Sequence, residues 1–322
     1  MTELEKTVLA TLAYYDVFDR PLTAWEVFRY AIKTELKTIS FVAVLEVLTE
    51  SKILREKISH FNGFYFLKER SALVGERIDR QKLADHKWKQ ARRFLKLLPA
   101  IPYIRMVAVS GSLALNNSKA NSDIDLLIIT KKGRIWTCRT LTTLAIHLLG
   151  KRRHHHLTKD RFCLNHYITD QSLQFTGKSL YNAQTYAHLV PVIGTGHLIY
   201  QFQKTNQWLL DYLFFYPFQT RGFIKNIKRS VFLNKARRYK EMILDTSVGD
   251  WLEKKLRKKQ EQRIKKDPMT LKPGGRVVFN DNQLEFHPDS PEKGVLEKYN
   301  KKLEEIGLAA LGHQKDSGLL AF

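Results

Sequence analysis

Two neighbouring apolar runs near the middle of the chain carry the residues best suited to chemistry. The first run, residues 106–110, is followed directly by a Gly-Ser pair. The second run, residues 123–130, begins with Asp-Ile-Asp. Apolar runs on either side of small residues predict two strands that flank a turn. Alternate side chains of a strand share a face, so Asp123 and Asp125 should point the same way, about 7 Å apart.

Two carboxylates on one face predict a cation between them. Adjacent carboxylates repel, and one of them tends to hold a proton unless a hard cation makes both ionised forms favourable. Mg²⁺, or Mn²⁺ in its place, is the natural occupant because it prefers oxygen ligands. Asp123 and Asp125 are therefore the expected metal ligands and catalytic residues.

The Gly-Ser pair predicts a phosphate contact beside that metal. Gly111 has no Cβ, so its backbone can approach a phosphate closely. Ser112 is expected to open a helical turn, whose free N–H groups favour anions. One half of the motif thus suits a metal ion and the other half suits a phosphate.

This motif resembles the signature of the polymerase-beta-like nucleotidyltransferase superfamily: a strand, Gly111-Ser112, ten residues, then Asp-hydrophobic-Asp-hydrophobic. The resemblance implies that a nucleoside triphosphate binds through the Gly-Ser turn. It also implies that the aspartates carry two Mg²⁺ ions for in-line attack by an acceptor on the α-phosphorus. The segments 133–139, 161–167 and 284–288 are similar to those of a largely uncharacterised bacterial branch in which a winged helix precedes the transferase core.

The superfamily usually places a third carboxylate in the next core strand, which the pattern predicts over residues 161–169. The matching position here holds Asn165. An amide oxygen can approach a metal, but it carries no charge and cannot act as a general base near neutral pH. Asp160 and Asp170 lie at the ends of that strand and are not assigned to the site.

Two functions stay open. The first is a Mg²⁺-dependent transferase that moves a nucleoside monophosphate from a triphosphate to an unknown hydroxyl acceptor. The second is a weakened or inactive protein of the same fold that binds nucleotide or nucleic acid as a regulator. Asn165 favours the second function. The two aspartates favour the first, because folding does not need paired aspartates on one strand.

The composition is that of a globular protein. Of the 322 residues, 43% are hydrophobic and 11% aromatic, which is ample for sizeable cores. Cys138 and Cys163 are too few for a disulfide framework, and no signal segment precedes the first predicted helix, so a reducing cytoplasm is expected. No apolar run reaches the roughly 20 residues that span a bilayer, so no membrane span is expected.

The net charge of +22 is unevenly placed: it is 0 over residues 1–80, +12 over 81–170 and +10 over 171–322. Such a surface attracts polyanions, whether nucleoside triphosphates, nucleic acid or acidic lipid headgroups. Any affinity for nucleic acid is therefore expected to come from residues 81–322. Nothing in the sequence indicates an oligomeric state.

The helix, strand and turn signals predict an α+β protein in three parts. Residues 1–75 are expected to form a winged helix-turn-helix. Residues 80–175 are expected to form a polymerase-beta-like nucleotidyltransferase core with a small mixed sheet. Residues 176–322 are expected to form a mostly helical, basic C-terminal domain with a short hairpin.

Within residues 1–75, the pairs Thr2/Glu5 and Thr23/Glu26 are capping boxes that begin two helices. A third helix is predicted over residues 38–51, and its apolar stripe is Ile39, Val42, Leu45 and Leu48. Strands are predicted over residues 53–59 and 64–67, around an Asn-Gly turn. The zero net charge favours a packing or protein-interaction module over a DNA-reading one.

A helix predicted over residues 81–98 should cover the core sheet, with its basic side chains on a solvated face: Lys87, Lys89, Arg92, Arg93 and Lys96. After the second aspartate strand, a helix is predicted over residues 134–149, with Gly150 just beyond its end. The basic run 151–156 contains three consecutive histidines. A solvated loop is expected there rather than a zinc site, because adjacent residues cannot easily all turn onto one ion.

Residues 179–218 have a helical pattern broken at Pro191 and again at 194–196, and their aromatic residues are expected in the core: Tyr200, Trp208, Tyr212 and Tyr216. Residues 221–266 carry a net charge of +11 and predict exposed basic helices, with aromatics at Phe223, Phe232 and Tyr239. Nucleic-acid contact and packing on the core are the two alternatives for these helices. A hairpin over residues 276–287 and a helix over residues 291–306 follow.

Overall fold

A computed structural model describes residues 1–154, 157–216, 227, 230–272 and 275–309 of the chain. The described residues form helices and two sheets, which confirms the predicted α+β class. None of the helices in these ranges is long and apolar enough to cross a membrane.

The first 70 residues contain four helices and a small sheet. The helices are α1 Glu3–Asp16, α2 Ala24–Arg29, α3 Phe41–Glu50 and α4 Lys52–Lys57, and the strands are β1 Leu22–Thr23, β2 Ile58–Phe61 and β3 Phe64–Leu67. The sheet is antiparallel, with strand order β1-β3-β2. Both predicted capping boxes are present, at Thr2 with Glu5 and at Thr23 with Glu26.

Two details of this region differ from the sequence prediction. The strand predicted over residues 53–59 was wrong for residues 53–57, which belong to helix α4. The Ser51 side chain accepts from the Leu54 backbone N–H and caps this helix. The predicted stripe of α3 was also wrong in part. Val42 is 72% exposed, whereas Val44 is fully buried, so the helix is rotated from its predicted orientation.

The rest of the described chain forms a six-stranded sheet with helices around it. Its helices are α5 Leu73–Leu95, α6 Gly111–Ala114, α7 Ile135–Leu148, α8 Leu180–Ala187, α9 Gly196–Thr205, α10 Val231–Leu244, α11 Ser247–Lys266 and α12 Glu292–Glu305. Its strands are β4 Ile104–Val109, β5 Ile124–Thr130, β6 Phe162–Thr169, β7 Val190–Ile193, β8 Arg276–Phe279 and β9 Gln283–His287.

The sheet has the strand order β7-β4-β5-β6-β9-β8. The β5–α7–β6 unit makes the one parallel pair of this sheet, and its other pairs are antiparallel, so the sheet is mixed. Strands from both predicted ranges, 80–175 and 176–322, therefore share one sheet. The helical prediction was wrong at residues 190–193, which form strand β7. This strand lies at the edge of the sheet, where proline, which lacks a backbone N–H, is tolerated at position 191.

Lys87 also departs from the prediction of a solvated helix face, because its side chain is 1% exposed. Its ammonium group donates to the carbonyls of Ala120 and Ser122 and forms an ion pair with Asp160. These acceptors lie in the loop before β5 and the turn before β6. Lys87 therefore fixes the two segments that lead into the central parallel strands.

The N-terminal segment packs against helices α12 and α8. The rings of Tyr14 and Tyr299 meet edge to face, with centroids 5.4 Å apart. The Tyr15 hydroxyl donates to the Gln184 side chain at 2.7 Å. Asp16 forms a buried ion pair with Lys302. Helix α1 is therefore part of the main hydrophobic core rather than a separate module on the surface.

The predicted burial of the C-terminal aromatics and the predicted exposure of the basic helices are confirmed in part. Trp208, Tyr212 and Tyr216 are buried as expected, whereas Tyr200 is 52% exposed. Helix α10 buries none of its side chains, and α11 buries only two residues, so the basic helices are exposed. Some residues of the predicted segments lie outside the described residues: Phe218, Arg221, Phe223 and two of the three consecutive histidines.

Substitutions on α3 test its orientation. Val44→Ala should destabilise the protein by roughly 2 kcal/mol, because it removes two buried methyl groups. Val42→Ala should change stability by less than about 0.5 kcal/mol, because its side chain is exposed. Chemical denaturation of both variants measures the difference. Equal losses would contradict the rotation described for this helix.

Candidate functional site

The two aspartates and the Gly-Ser turn meet at the start of strand β5. The Ser110 backbone N–H donates to the Asp125 carbonyl at 3.0 Å. Gly111 has a φ of +65°, and a Cβ at this position would overlap the Asp125 carboxylate oxygen Oδ2. The turn is therefore packed directly onto one carboxylate, and only glycine allows that approach.

Cys163 is the residue that lies beside the aspartate pair. It is opposite Asp125 in the parallel β5–β6 pairing, and ligand atoms of Asp123, Asp125 and Cys163 lie within 4.8 Å of one another. Asn165 lines the same cleft, but its amide nitrogen lies 3.2 Å from His287 Nδ1. A register shift in β6 just after Cys163 separates the two positions.

Burial and charge repulsion both act on Asp125. Burial and the neighbouring Asp123 carboxylate raise the pKa of Asp125 to about 7, although Arg153 and Cys163 act in the opposite direction. The Arg153 guanidinium lies 2.6 Å from Asp123 Oδ2. Arg153 belongs to the predicted basic loop, so this loop does supply a cation to the site, whereas His154 in it is exposed.

The chemical nature of the ligand atoms at this site determines which cation it can bind. Burial, followed by the charges of Asp125 and Asp123, raises the pKa of the Cys163 thiol to about 12, so the thiol stays neutral near pH 7. A neutral thiol is a poor ligand for Mg²⁺, which prefers oxygen. The two carboxylates suit Mg²⁺, but Cys163 does not replace a third carboxylate.

Two cavities meet at the aspartate pair. One is a cleft of about 290 Å³ whose lining includes Arg153 and Arg276. The other, of about 310 Å³, reaches from Gly111 and Ser112 to aromatic residues of α1, of the turn after it and of α8: Tyr14, Tyr15, Phe18 and Tyr181. The N-terminal segment thus forms part of the site, which the sequence alone did not predict.

A second cluster in the cleft was also missed from the sequence. It consists of His166, Glu285 and His287, whose ligand atoms lie within 4.8 Å of one another. Burial lowers the pKa of His166 to about 3 and that of His287 to about 4, so both rings are neutral near pH 7. The alternation of Glu285 and His287 on one predicted strand was the available signal, because residues two apart share a face.

Asp160 and Asp170 remain outside the site. Asp160 pairs with Lys87, and Asp170 accepts from the Lys132 backbone N–H at 3.0 Å. Both carboxylates stabilise turns at the ends of β6. Neither one lines the cavities beside the aspartate pair.

Comparison of the chain with protein-family models, with curated proteins and with solved structures finds no match.

Gly111→Ala tests the contact between the turn and the carboxylate. It should weaken Mn²⁺ binding at least tenfold, because the new Cβ displaces the Asp125 carboxylate. Gly133→Ala is the matched control, since Gly133 also has a positive φ but has open space around it. Both variants should lose roughly 1–2 kcal/mol from backbone strain. Equal Mn²⁺ affinity in the two variants, measured by calorimetry, would show that the contact is unimportant.

Asp125→Asn tests the raised pKa in chelator-treated protein. The native state keeps a proton on Asp125 that the unfolded chain loses above its pKa of 3.8, so this group makes the protein less stable as the pH rises from about 4 to about 7. Asparagine removes that effect. The variant should therefore gain roughly 4 kcal/mol relative to wild type at pH 8, at about 1.4 kcal/mol per pKa unit, and little at pH 4.

Thermal melts across this pH range measure the gain, with Asp85→Asn as an exposed control. A gain that is independent of pH would contradict the shift.

Proposed function

We propose that this protein is a Mg²⁺-dependent nucleotidyltransferase that moves a nucleoside monophosphate from a nucleoside triphosphate to a hydroxyl acceptor. The observation that carries the proposal is the pair Asp123 and Asp125, packed on the Gly111 turn between two cavities. The proposal includes a polymerase-beta-like core around β4, β5 and β6, and a winged helix at residues 1–75. A reducing cytoplasm is the compartment that fits its two free, buried cysteines.

The side chains have distinct roles in this proposal. Asp123 and Asp125 hold the metal, and bound Mg²⁺ supplies positive charge to the attacking and leaving oxygens. Gly111 and Ser112 accommodate phosphate at the turn. Arg153 and Arg276 line the polar cleft and provide cations for a triphosphate.

Arg153 is also placed to exchange its ion pair with Asp123 for contacts with phosphate when a metal ion binds. It pairs with Asp123 at 2.6 Å, and its side chain is 46% exposed. An exposed arginine can leave a carboxylate at small cost, because ion pairs near solvent contribute only about 0–1 kcal/mol. The guanidinium is then free to contact phosphate oxygens.

Two cavities that both reach one carboxylate pair suit a reaction with two substrates. The cleft with Arg153 and Arg276 fits a polyanion. The cavity lined by Tyr14, Tyr15 and Phe18 offers aromatic faces, which fit a planar ring. We assign one cavity to the triphosphate chain and the other to an aromatic group of either substrate.

The basic surface supports a polyanionic partner beyond the triphosphate. Helix α11 exposes most of its lysines and arginines, from Lys254 to Lys266. The exposed, clustered charges favour nucleic acid over a small neutral acceptor. Residues 1–80 carry no net charge, so the proposed winged helix is expected to contribute little to that affinity.

The second candidate function is a nucleotide- or nucleic-acid-binding regulator that has lost transfer activity. Cys163 favours it, because a neutral thiol stands beside Asp123 and Asp125 where a third charge would strengthen the metal site. Glu285 lines the same cleft but lies two strands from Asp125, at roughly 10 Å by strand spacing.

The two functions are separated by a binding and turnover experiment. Mn²⁺ with a nucleoside triphosphate should raise the melting temperature by about 2–4 °C per kcal/mol of binding free energy, because only the folded state assembles the site. Asp123→Asn/Asp125→Asn should abolish this shift while the protein stays folded. Pyrophosphate release with candidate acceptors then indicates a transferase, and a shift without any release indicates a regulator.

Two single substitutions test at which position a third carboxylate would strengthen the metal site. Cys163→Asp should tighten Mg²⁺ binding about tenfold or more and increase pyrophosphate release, because it places a third carboxylate beside the pair. Cys163→Ser is the matched control without the charge. Asn165→Asp should have a smaller effect, since Asn165 contacts His287. No shift with any triphosphate and no effect of Cys163→Asp would contradict the proposed transferase.

A further inference from the structure

The cluster of His166, Glu285 and His287 is held by the sheet rather than by a loop. His166 lies on β6 directly opposite Glu285 on β9, and His287 follows two residues later on the same face. The hairpin β8–β9 fixes the second strand from its other side. Three potential ligands are therefore positioned by backbone hydrogen bonds before any ion arrives.

His166 carries a ring nitrogen that lacks a partner. The residue is 6% exposed, and its Nε2 atom has no hydrogen-bond partner in the described part of the chain. The nearest acidic oxygen, Glu285 Oε2, is 4.0 Å away and too far for a hydrogen bond. A buried polar atom in this state costs about 1–3 kcal/mol. A bound ion would supply the missing partner.

Glu285 keeps one oxygen available for that ion. Its Oε2 atom forms an ion pair with Arg276 Nε at 3.1 Å and accepts from Gln283 Nε2 at 2.8 Å. Its Oε1 atom lies 3.8 Å from His287 Nε2. Contraction by less than about 1 Å would bring ligand atoms at these separations around one ion with bonds near 2.1 Å.

Asn165 orients the third ligand. Its side-chain amide lies 3.2 Å from His287 Nδ1. With the amide oxygen turned to this atom, Nδ1–H donates to it and Nε2 keeps its lone pair for a metal. Such a hydrogen bond behind a histidine ligand is the usual way in which proteins fix its tautomer.

We propose that His166, Glu285 and His287 form a binding site for a transition-metal ion of the Zn²⁺ type, distinct from the aspartate pair. Two imidazoles and one carboxylate are donors that suit such an ion. Arg276 already neutralises Glu285, which disfavours Mg²⁺ and Ca²⁺, because their binding depends on anionic oxygens. The site is independent of the proposed transferase activity.

Three protein ligands leave a coordination position open, as in catalytic zinc sites. The cluster lines the same cleft as Asp123 and Asp125, so the open position faces the space proposed for substrate. A water or a substrate oxygen is the expected fourth ligand. The cleft would then bind a hard cation at one end and a nitrogen-preferring one at the other.

Zn²⁺ binding by the full chain, stripped of metal and measured by equilibrium dialysis, tests the proposal. The background variant is His154→Ala/His155→Ala/His156→Ala with Cys163→Ser, which removes the histidine run and the thiol as competing ligands. One Zn²⁺ should remain bound in this background. Adding His287→Ala should weaken that binding more than tenfold, whereas the exposed strand residue His60 is the control and His60→Ala should have no effect.

The aspartate pair is tested in the same background. Asp123→Asn/Asp125→Asn should leave the Zn²⁺ affinity unchanged, and this result stands whether or not the protein transfers nucleotides. The proposal is overturned if the background variant binds no Zn²⁺. It is also overturned if the aspartate substitutions, rather than His287→Ala, remove the ion.

X-ray absorption of the wild-type chain with one equivalent of Zn²⁺ gives a test that does not depend on the folding of any variant. Nitrogen and oxygen neighbours at about 2.0–2.1 Å support the His166, Glu285 and His287 site. A sulfur neighbour at about 2.3 Å would instead place the ion at Asp123, Asp125 and Cys163 and contradict the proposal.

Discussion

The close approach of two carboxylates at the start of β5 is the interaction on which the rest of the site depends. Asp125 is held there by the Gly111 turn, which leaves no room for a Cβ. Asp123 is partly neutralised by Arg153. Burial of Asp125, followed by the charge of Asp123, raises the pKa of Asp125 to about 7. The protein thus holds in place a carboxylate pair that needs a proton or a cation. This arrangement destabilises the folded protein unless a bound cation compensates the charge.

A network of charged groups connects that site with the N-terminal segment. Glu26 accepts from Arg20 at 2.7 Å and from Arg77 at 2.9 Å. Arg77 also donates to the carbonyl of Asn116, just after the Gly-Ser turn. Because these groups are largely buried, loss of one partner would leave an uncompensated charge. The N-terminal segment therefore helps to fix the site as well as to line it.

The cleft combines two kinds of donor set within one sheet. Oxygen donors on β5 suit a hard cation, and imidazoles on β6 and β9 suit a transition metal. Both sets lie on the sheet face that opens into the cleft, because β5, β6 and β9 are adjacent. The strand order thus brings residues from distant parts of the chain to one place.

The sequence by itself determined the features that depend on short-range chemistry. Capping boxes, the β5–α7–β6 unit, the final hairpin and the pairing of Asp123 with Asp125 all follow from residues a few positions apart. Only the tertiary structure decided which neighbours complete the site. Cys163 rather than Asn165 lies beside the aspartates because β6 pairs with β5 at the position Cys163–Asp125, and His166 meets Glu285 because β9 pairs with β6. Strand register and long-range pairing depend on the packing of the whole sheet, and a local pattern does not encode them.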